Sequence, residues 1–375
     1  MIGSFYERIA DVDHDALGHT VRAIGVDDVD AALRRERADD ADALALFSPA
    51  AFGRIEEMAR RAAAITERRF GRVIQLYAPM YLSNECANIC TYCGFSNDVA
   101  IPRVSLTTAQ AVREAMHLHE QGFRHILLVT GEFKGRYGAD DIERVVAALK
   151  GRFASISVEV FPMSQGRYRS MERAGVDGLT LYQETYHPGM YARLHPKGPK
   201  SRYDERLHAI ERGGEAGFRS LGVGALLGLA DWRAEAVLLA WHARYLTKRF
   251  WRSRIAVSFP RVNPAENGFA PEHPVSDAEL VQMILAMRLL LPDAELVLST
   301  REGAELRDHL VGLGVTRMSA GSRTNPGGYV TNGESGRQFA VSDERSPGEV
   351  AEAIAARGFE PVWKDFDPAF IQDAR

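Results

Sequence analysis

Cysteine is scarce in this sequence, and its few positions are confined to one short segment. The 375 residues contain three cysteines, Cys86, Cys90 and Cys93, and no others. Nothing is therefore left for the framework of disulfide bonds on which small secreted domains depend. An odd, clustered set of cysteines is instead typical of metal binding or redox chemistry in a reducing compartment.

Long apolar runs are also missing. The stretch from Val223 to Ala230 is short and rich in glycine, so no segment of the sequence is long enough to cross a bilayer. The first residues lack the basic start and apolar run of a secretory signal. We therefore expect a cytoplasmic protein that does not enter a membrane.

Positive charge is not in excess. The chain has 46 Lys and Arg against 50 Asp and Glu, which gives a net charge of −4. This balance argues against a nucleic-acid-binding surface. With 46% hydrophobic and 26% charged residues, the composition is that of a globular protein with an ample core.

From Val73 onward the chain alternates between short apolar, β-branched runs and amphipathic helical segments. Such alternation predicts βαβ units and a parallel sheet. Eight units favour a closed (β/α)8 barrel of the TIM type, although an open doubly wound sheet would show a similar pattern. The eight predicted strands are Val73–Tyr81, His125–Glu132, Ile156–Phe161, Gly178–Glu184, Ser220–Leu227, Ile255–Pro260, Glu295–Thr300 and Val315–Ser319.

The segments that flank this alternation differ from it. Residues 1–70 predict a helical extension, because the apolar residues between Ala50 and Phe70 have helical spacing. Within the alternating region, Thr107 and Ser276 are the expected N-caps of two helices. We expect three parts: a helical extension at 1–70, the barrel at 71–325, and a C-terminal segment at 326–375 that closes and packs on the barrel.

The cysteines follow the first predicted strand, in the order Cys86-Ala-Asn-Ile-Cys90-Thr-Tyr92-Cys93. Three thiolates at this spacing can hold one face of a cuboidal [4Fe–4S] cluster, and the fourth iron is then open to another ligand. A structural zinc site would need a fourth protein ligand, and the nearest downstream histidine, His117, lies on a predicted helix. Zinc and three inert thiols are the alternatives to the cluster.

Polar residues recur where the predicted strands end. In barrels of this type, catalytic side chains come from the carboxyl ends of several strands and from the loops that follow them. Any single strand must end in something polar, but eight such ends together favour a common site. The residues at these ends are Tyr81, Glu132, Glu159, Glu184, Gly228, Arg261, Arg301 and Ser319.

The motif Cys-x-x-x-Cys-x-aromatic-Cys after a first strand resembles the hallmark of the radical S-adenosylmethionine (SAM) superfamily. Further segments resemble its aromatic amino acid lyase branch, above all the tyrosine lyases of thiamine biosynthesis, over about residues 50–370. They include Tyr81-Leu-Ser-Asn, Thr130-Gly-Glu, Tyr182-Gln-Glu-Thr-Tyr186, Leu298-Ser-Thr-Arg-Glu302 and Pro361-Val-Trp-Lys-Asp365.

This resemblance implies a [4Fe–4S] cluster and SAM as cofactors. It implies that SAM is cleaved to a 5′-deoxyadenosyl radical, which takes a hydrogen from the amino group of L-tyrosine. Cleavage of the Cα–Cβ bond then gives 2-iminoacetate (dehydroglycine), which feeds thiazole synthesis, and, after reduction, p-cresol. The implied partners are a low-potential electron donor of the flavodoxin or ferredoxin type and a thiazole synthase.

The sequence leaves three alternatives to tyrosine cleavage open. The same radical chemistry could act on tryptophan, or on tyrosine plus an acceptor as in deazaflavin synthesis. A scaffold protein that binds zinc or an iron–sulfur cluster without catalysis is the third. The hydrogenase maturases of the branch carry additional C-terminal cysteines, and no cysteine follows Cys93 here, so that activity is disfavoured.

The resemblance also implies contacts with SAM. Tyr92 would lie against the adenine, and Glu132 would accept from the ammonium group. Glu184 and Arg206 would hold the methionyl end, with Gly228 in a segment where the backbone approaches the adenine. The alternatives are a helix-capping carboxylate for Glu132, a solvated side chain for Arg206, and simple packing for Gly228.

Other residues are expected to contact the ribose or the substrate. Glu159 breaks an apolar strand, and because a buried carboxylate needs a partner, its presence indicates a ligand. The resemblance to tryptophan-cleaving members of the branch implies that Arg301 binds the substrate carboxylate. Tyr81 and Ser319 match further substrate contacts, with a turn hydroxyl as the alternative for Ser319. Phe133 stands where the lyases commonly have histidine.

Overall fold

The computed structural model describes residues 3–330 and 335–364. Eight parallel strands form a closed barrel, because each strand pairs with the next and β1 pairs with both β8 and β2. The prediction of a closed barrel rather than an open sheet is confirmed. The strands are β1 (Val73–Ser83), β2 (His125–Thr130), β3 (Ser155–Glu159), β4 (Gly178–Thr180), β5 (Ser220–Gly224), β6 (Arg254–Ser258), β7 (Glu295–Leu298), β8 (Arg317–Ser319) and β9 (Glu360–Val362).

Helices follow every strand of the barrel. Thr107 and Ser276 cap two of them as expected, since each hydroxyl accepts a backbone N–H three residues on, in a reciprocal capping box. The helices are α1 (Phe5–Ile9), α2 (His14–Ala23), α3 (Val26–Arg34), α4 (Asp42–Leu46), α5 (Ile55–Phe70), α6 (Thr108–Glu120), α7 (Ala139–Leu149), α8 (Gln165–Ala174), α9 (Pro188–Leu194), α10 (Tyr203–Ala216), α11 (Trp232–Arg249), α12 (Asp277–Leu290), α13 (Ala304–His309) and α14 (Pro347–Ala356).

The alternation of side chains along β1 shows how the barrel is filled. Ile74, Leu76 and Met80 pack outward in the core between strands and helices, whereas Tyr77 and Tyr81 belong to a separate cluster on the inner face. This alternation is the period of two of an extended strand. The inner face therefore carries hydroxyls that the outer face does not.

Four of the five N-terminal helices pack on the outer helices of the barrel: α1 on α10, α2 on α11, α4 on α11 and α12, and α5 on α12. Phe5 anchors the first of them, because its ring stacks on His242 at 4.2 Å and its N–H donates to Glu211 at 2.8 Å. In the described part of the chain, no helix is long and apolar enough to span a membrane.

The C-terminal segment reaches both ends of the barrel. Strand β9 pairs with the beginning of β1, and Trp363 packs on Phe123 before β2, at the end away from the carboxyl termini of the strands. Residues 335–340 lie at the opposite end, where the carbonyl of Gln338 accepts from the Gly94 N–H at 2.9 Å. The boundaries predicted at residues 70 and 325 stay predictions.

Candidate active site

A pocket of about 830 Å³, including open space at its mouth, lies at the carboxyl ends of the strands. Strand-end residues and the cysteine loop face it together, as the barrel fold leads us to expect. Of the residues predicted for the site, seven line this pocket: Tyr81, Tyr92, Cys93, Glu159, Glu184, Arg301 and Ser319.

The cysteine loop is held in place by backbone hydrogen bonds to other strand-end loops. The N–H of Ala87 donates to the Glu132 carbonyl at 2.8 Å, and that of Ile89 donates to the Lys197 carbonyl at 2.9 Å. At the end of β2, a Cβ on Gly131 would lie 2.4 Å from the Glu85 carbonyl oxygen. Only glycine allows β2 and the cysteine loop to approach so closely.

Glu132 is buried and joined to the loop by its side chain as well. Its Oε2 accepts from Asn88 Nδ2 at 2.9 Å, and the same amide lies 3.7 Å from the Cys86 sulfur. Asn88 Oδ1 accepts from the Lys200 backbone N–H at 2.8 Å. Asn88, which lies between two of the cysteines, therefore fixes the loop to two separate segments of the barrel.

Tyr92 is buried beside Cys90 and Leu226. Its hydroxyl lies 2.7 Å from His195 Nε2, while His195 Nδ1 lies 2.8 Å from the Tyr191 carbonyl oxygen. Nδ1 must donate to that carbonyl, so Nε2 accepts from the Tyr92 hydroxyl. Burial, together with the charge of Lys200, lowers the pKa of His195 to about 3, which keeps the imidazole neutral in this role.

Glu184 lies at the centre of a buried charged group. Its Oε1 is 2.7 Å from Lys200 Nζ and 3.4 Å from Arg206 Nη2, and Arg206 Nε donates to the Tyr182 carbonyl at 2.5 Å. Burial alone raises the pKa of Glu184, but Lys200 and Arg206 outweigh it and hold that pKa below its ordinary value. The Arg206 side chain is only 10% exposed, so the alternative of a solvated surface arginine is wrong.

Glu159 and Arg301 face the same pocket from β3 and from the loop after β7. Burial and the neighbouring Glu184 raise the pKa of Glu159 to about 7. Burial lowers the pKa of Arg301, partly offset by Tyr81 and the two glutamates. The Arg301 guanidinium lies 3.3 Å from the centre of the Phe339 ring, and among the described residues no carboxylate forms an ion pair with it. An anionic ligand would supply that partner.

Tyr81 and Ser319 line the pocket, and the hydroxyl of each is hydrogen-bonded to another residue of the protein. The Tyr81 hydroxyl donates to Gln338 Oε1 at 2.6 Å, and the Ser319 hydroxyl oxygen accepts from the Thr300 N–H at 3.1 Å. Gln338 therefore belongs to the pocket although it is remote in the sequence. Both hydroxyls keep further hydrogen-bonding capacity for a ligand.

Gly228 and Phe133 do not line the pocket. Gly228 has a φ of 110°, and a Cβ there would lie 2.9 Å from Pro271. The glycines that open space inside the barrel are Gly222 and Gly224, where a Cβ would collide with Thr180 and with the Tyr182 ring. The half-buried Phe133 forms a bridge with Tyr137 in the loop after β2.

Comparisons with known proteins agree with this geometry. Residues 80–239 match the radical SAM superfamily, and residues 258–360 match the biotin and thiamin synthesis associated domain. The 2-iminoacetate synthase of Escherichia coli K12 is 43% identical over 365 residues, which cover 97% of each chain.

The chain belongs to the 2-iminoacetate synthase family of radical SAM enzymes.

Two other proteins are similar to this chain at lower sequence identity. The hydrogenase maturase HydG of Carboxydothermus hydrogenoformans has the same fold with a TM-score of 0.82, at 33% identity, and the match covers 96% of this chain and 82% of that one. A 7,8-didemethyl-8-hydroxy-5-deazariboflavin synthase of Thermosynechococcus vestitus is 26% identical over 58% of this chain and 70% of its own.

The radical SAM family uses a [4Fe–4S] cluster and SAM, and the cysteines fit such a cluster. All three are free, and their sulfur atoms do not all lie within 4.8 Å of one another. Sulfur ligands about 2.3 Å from a single tetrahedral zinc would be closer together than that. Burial raises the pKa of Cys93 to about 11, so iron binding must displace its proton.

Several residues that contact the predicted site residues are not evident from local patterns in the sequence. Lys200, His195, Asn88 and Gln338 all contact predicted site residues, yet none of them ends a strand. The residues Pro196 to Pro199 could have signalled an ordered turn before Lys200. No local pattern indicates where that turn meets the pocket.

Proposed function

We propose that this chain cleaves the Cα–Cβ bond of L-tyrosine, giving 2-iminoacetate for the thiazole of thiamine and, after reduction by the low-potential donor, p-cresol. The observation that carries the proposal is the 43% identity to a 2-iminoacetate synthase over 97% of both chains. The pocket supports it, because a buried cation without an ion-pair partner in the described chain lies in the same cavity as Cys93.

The three cysteine thiolates would hold the cluster at one side of this pocket. When bound and reduced, the cluster would supply the electron for cleavage of SAM, and the 5′-deoxyadenosyl group so released would take a hydrogen from the substrate amino group. Glu132, Glu184 and Arg206 would hold the methionyl end of SAM, and Tyr92 would pack against its adenine, with Gly228 in the adjoining loop.

Arg301 would bind the carboxylate of tyrosine, since its fork can donate two hydrogen bonds to that group. Tyr81 and Ser319 would fix the remaining orientation of the amino acid. Glu159 would accept from a ribose hydroxyl or from the substrate amino group. These contacts matter because the amino group must lie close to the radical carbon, and a small displacement is costly in rate.

Two protein partners belong to the proposal. A low-potential donor of the flavodoxin or ferredoxin type would reduce the cluster, and a thiazole synthase would receive 2-iminoacetate.

The test is an anaerobic assay of the reconstituted protein with SAM, a low-potential reductant and one amino acid at a time. We expect 5′-deoxyadenosine and p-cresol in parallel when tyrosine is present. Product formation with tryptophan alone, or only with tyrosine and an acceptor as in deazaflavin synthesis, would replace the proposal by another activity of the branch. A protein that binds zinc and turns over no SAM would refute every catalytic version.

A further inference from the structure

Glu184 has an unusual backbone conformation. Its φ is 73°, and it is the only residue other than glycine with positive φ in the described part of the chain. Side chains disfavour this left-handed region, so the surrounding structure must impose it. The conformation turns the chain after β4, at the residue whose carboxylate meets Lys200 and Arg206.

The two residues that follow Glu184 are held by one buried carboxylate, that of Glu235 on α11. Glu235 Oε1 accepts from the Thr185 hydroxyl at 2.5 Å, and its two oxygens accept from the Tyr186 N–H at 3.0 and 2.9 Å. Thr185 in turn accepts from the His187 N–H at 3.1 Å. The turn is therefore fixed from outside the barrel by a helix that does not enter the pocket.

The N-terminal extension completes this arrangement. His14, in the first turn of α2, places Nε2 at 3.0 Å from Glu235 Oε1, and both side chains are 2% exposed. A buried carboxylate needs such a donor, because an unpartnered charge in the interior is strongly unfavourable. His14 thus connects the N-terminal helices directly to the carboxylate that fixes the turn behind Glu184.

Ligand atoms of His14, Asp15 and His187 lie within 4.8 Å of one another, a spacing that a shared metal ion would require. However, His187 Nδ1 accepts from the Gly189 N–H at 3.2 Å as the cap of α9. Its Nε2 must then carry the proton of the neutral ring, which leaves no lone pair for a metal. The histidine cluster is better explained by positioning.

We propose that Glu235 and His14 are positioning residues that hold Glu184 in the conformation needed to grip SAM. The inference rests on the proposed function, because it takes Glu184 as a SAM contact. It assigns a role in cofactor binding to the N-terminal helices, which otherwise lie outside the barrel.

The test compares Glu235→Gln with Glu211→Gln in the reconstituted holoenzyme. Glu211 is a matched control, since it is buried on α10 and accepts from the Phe5 N–H at 2.8 Å and the Tyr245 hydroxyl at 2.9 Å. Both variants weaken the attachment of N-terminal helices. We expect Glu235→Gln to raise the KM and the equilibrium Kd for SAM about tenfold or more, with the tyrosine KM and iron content unchanged. Glu211→Gln should leave the SAM constants within about twofold of wild type.

A second pair isolates the N-terminal contribution. His14→Leu removes the donor and should reproduce the loss of SAM affinity, whereas His14→Gln retains a donor near Nε2 and should restore it. Thr185→Val, which leaves Glu235 and His14 paired, serves if the first variants fold poorly. In the cluster-free protein, hydrogen exchange of the Tyr186 amide should be faster in Glu235→Gln and His14→Leu than in wild type.

The outcomes separate the two proposals. Wild-type SAM affinity and wild-type Tyr186 exchange in folded Glu235→Gln would overturn the positioning role, whatever the substrate is. Absence of p-cresol from the wild-type enzyme would overturn tyrosine cleavage, but SAM binding and amide exchange could still be compared among the variants.

Discussion

Lys200 Nζ lies 2.7 Å from Glu184 Oε1 and 5.6 Å from the centre of the Tyr92 ring. Its ammonium group thereby joins the strand-end carboxylate to the aromatic residue of the cysteine loop. Both charged side chains are nearly buried, at 14% and 11% exposed. Removing one partner of such a shielded ion pair costs more than breaking a pair on the surface, because the remaining charge is left buried and with fewer partners.

The first prediction concerns this pair. Lys200→Met should weaken SAM binding by about tenfold to a hundredfold, because a charge-assisted hydrogen bond worth about 1.5–3 kcal/mol is lost and Glu184 keeps only Arg206. Equilibrium binding of SAM to the reconstituted protein measures the effect. Arg193→Met is the control, since Arg193 and its partner Glu272 are 53% and 56% exposed. Equal affinities in the two variants would show that Lys200 does not contribute.

The second prediction concerns Arg301. Arg301→Ala should raise the KM for tyrosine about a hundredfold, because the substrate carboxylate loses a buried partner, an effect of about 2–5 kcal/mol. Arg301→Lys should be intermediate, since one ammonium cannot reproduce the fork. SAM cleavage without tyrosine and iron content should both stay at the wild-type level. A tyrosine KM unchanged in Arg301→Ala would place the carboxylate elsewhere.

The third prediction concerns Gly131. Gly131→Ala places a methyl group 2.4 Å from the Glu85 carbonyl oxygen and 3.3 Å from the Cys86 Cβ, so the cysteine loop must move. Overpacking of this kind costs about 1–3 kcal/mol, and here it would displace a cluster ligand. Iron and sulfide per chain after reconstitution should fall. Gly135→Ala in the same loop meets only the Phe133 ring at 3.8 Å, and it should load normally.

The fourth prediction concerns pH. The pKa of Glu159 rises from 4.5 to about 7 on folding, so the folded state holds this proton more tightly than the unfolded chain. Its contribution to stability is therefore full below about pH 4.5 and is lost as the pH rises through about 7. Relative to wild type, Glu159→Gln should gain about 2 kcal/mol in free energy of unfolding between about pH 5.5 and pH 8. Urea unfolding of the cluster-free wild type and variant measures this difference in free energy of unfolding. If the free energies of the two proteins changed in parallel with pH, the prediction would be contradicted.

The sequence predicts the parts of this fold that depend on local patterns. The eight barrel strands and the caps at Thr107 and Ser276 follow from periodicity and from side-chain chemistry within a few residues. The cysteine spacing and the position of Glu159 at a strand end are local in the same sense.

The rest of the site depends on where distant segments meet. Lys200 lies after α9 and reaches Glu184 only because the turn at residues 196–199 folds back over the cysteine loop. Phe339 covers Arg301 from a segment beyond the last barrel strand. From the sequence, Arg206 could be a surface residue of an amphipathic helix, yet in the structure its side chain points from α10 toward the buried Glu184. Neither the secondary-structure propensity of a segment nor its hydrophobic periodicity predicts such tertiary contacts.

The hydrogen bond between Tyr81 and Gln338 joins residues that are 257 positions apart. During synthesis on the ribosome, the cysteine loop emerges long before the segment that contacts it at the mouth of the barrel. A cluster inserted into the growing chain would be exposed to oxygen and water until translation is almost finished. Delivery of iron and sulfide is therefore expected to follow release of the complete chain, when Gln338 can close over the loop.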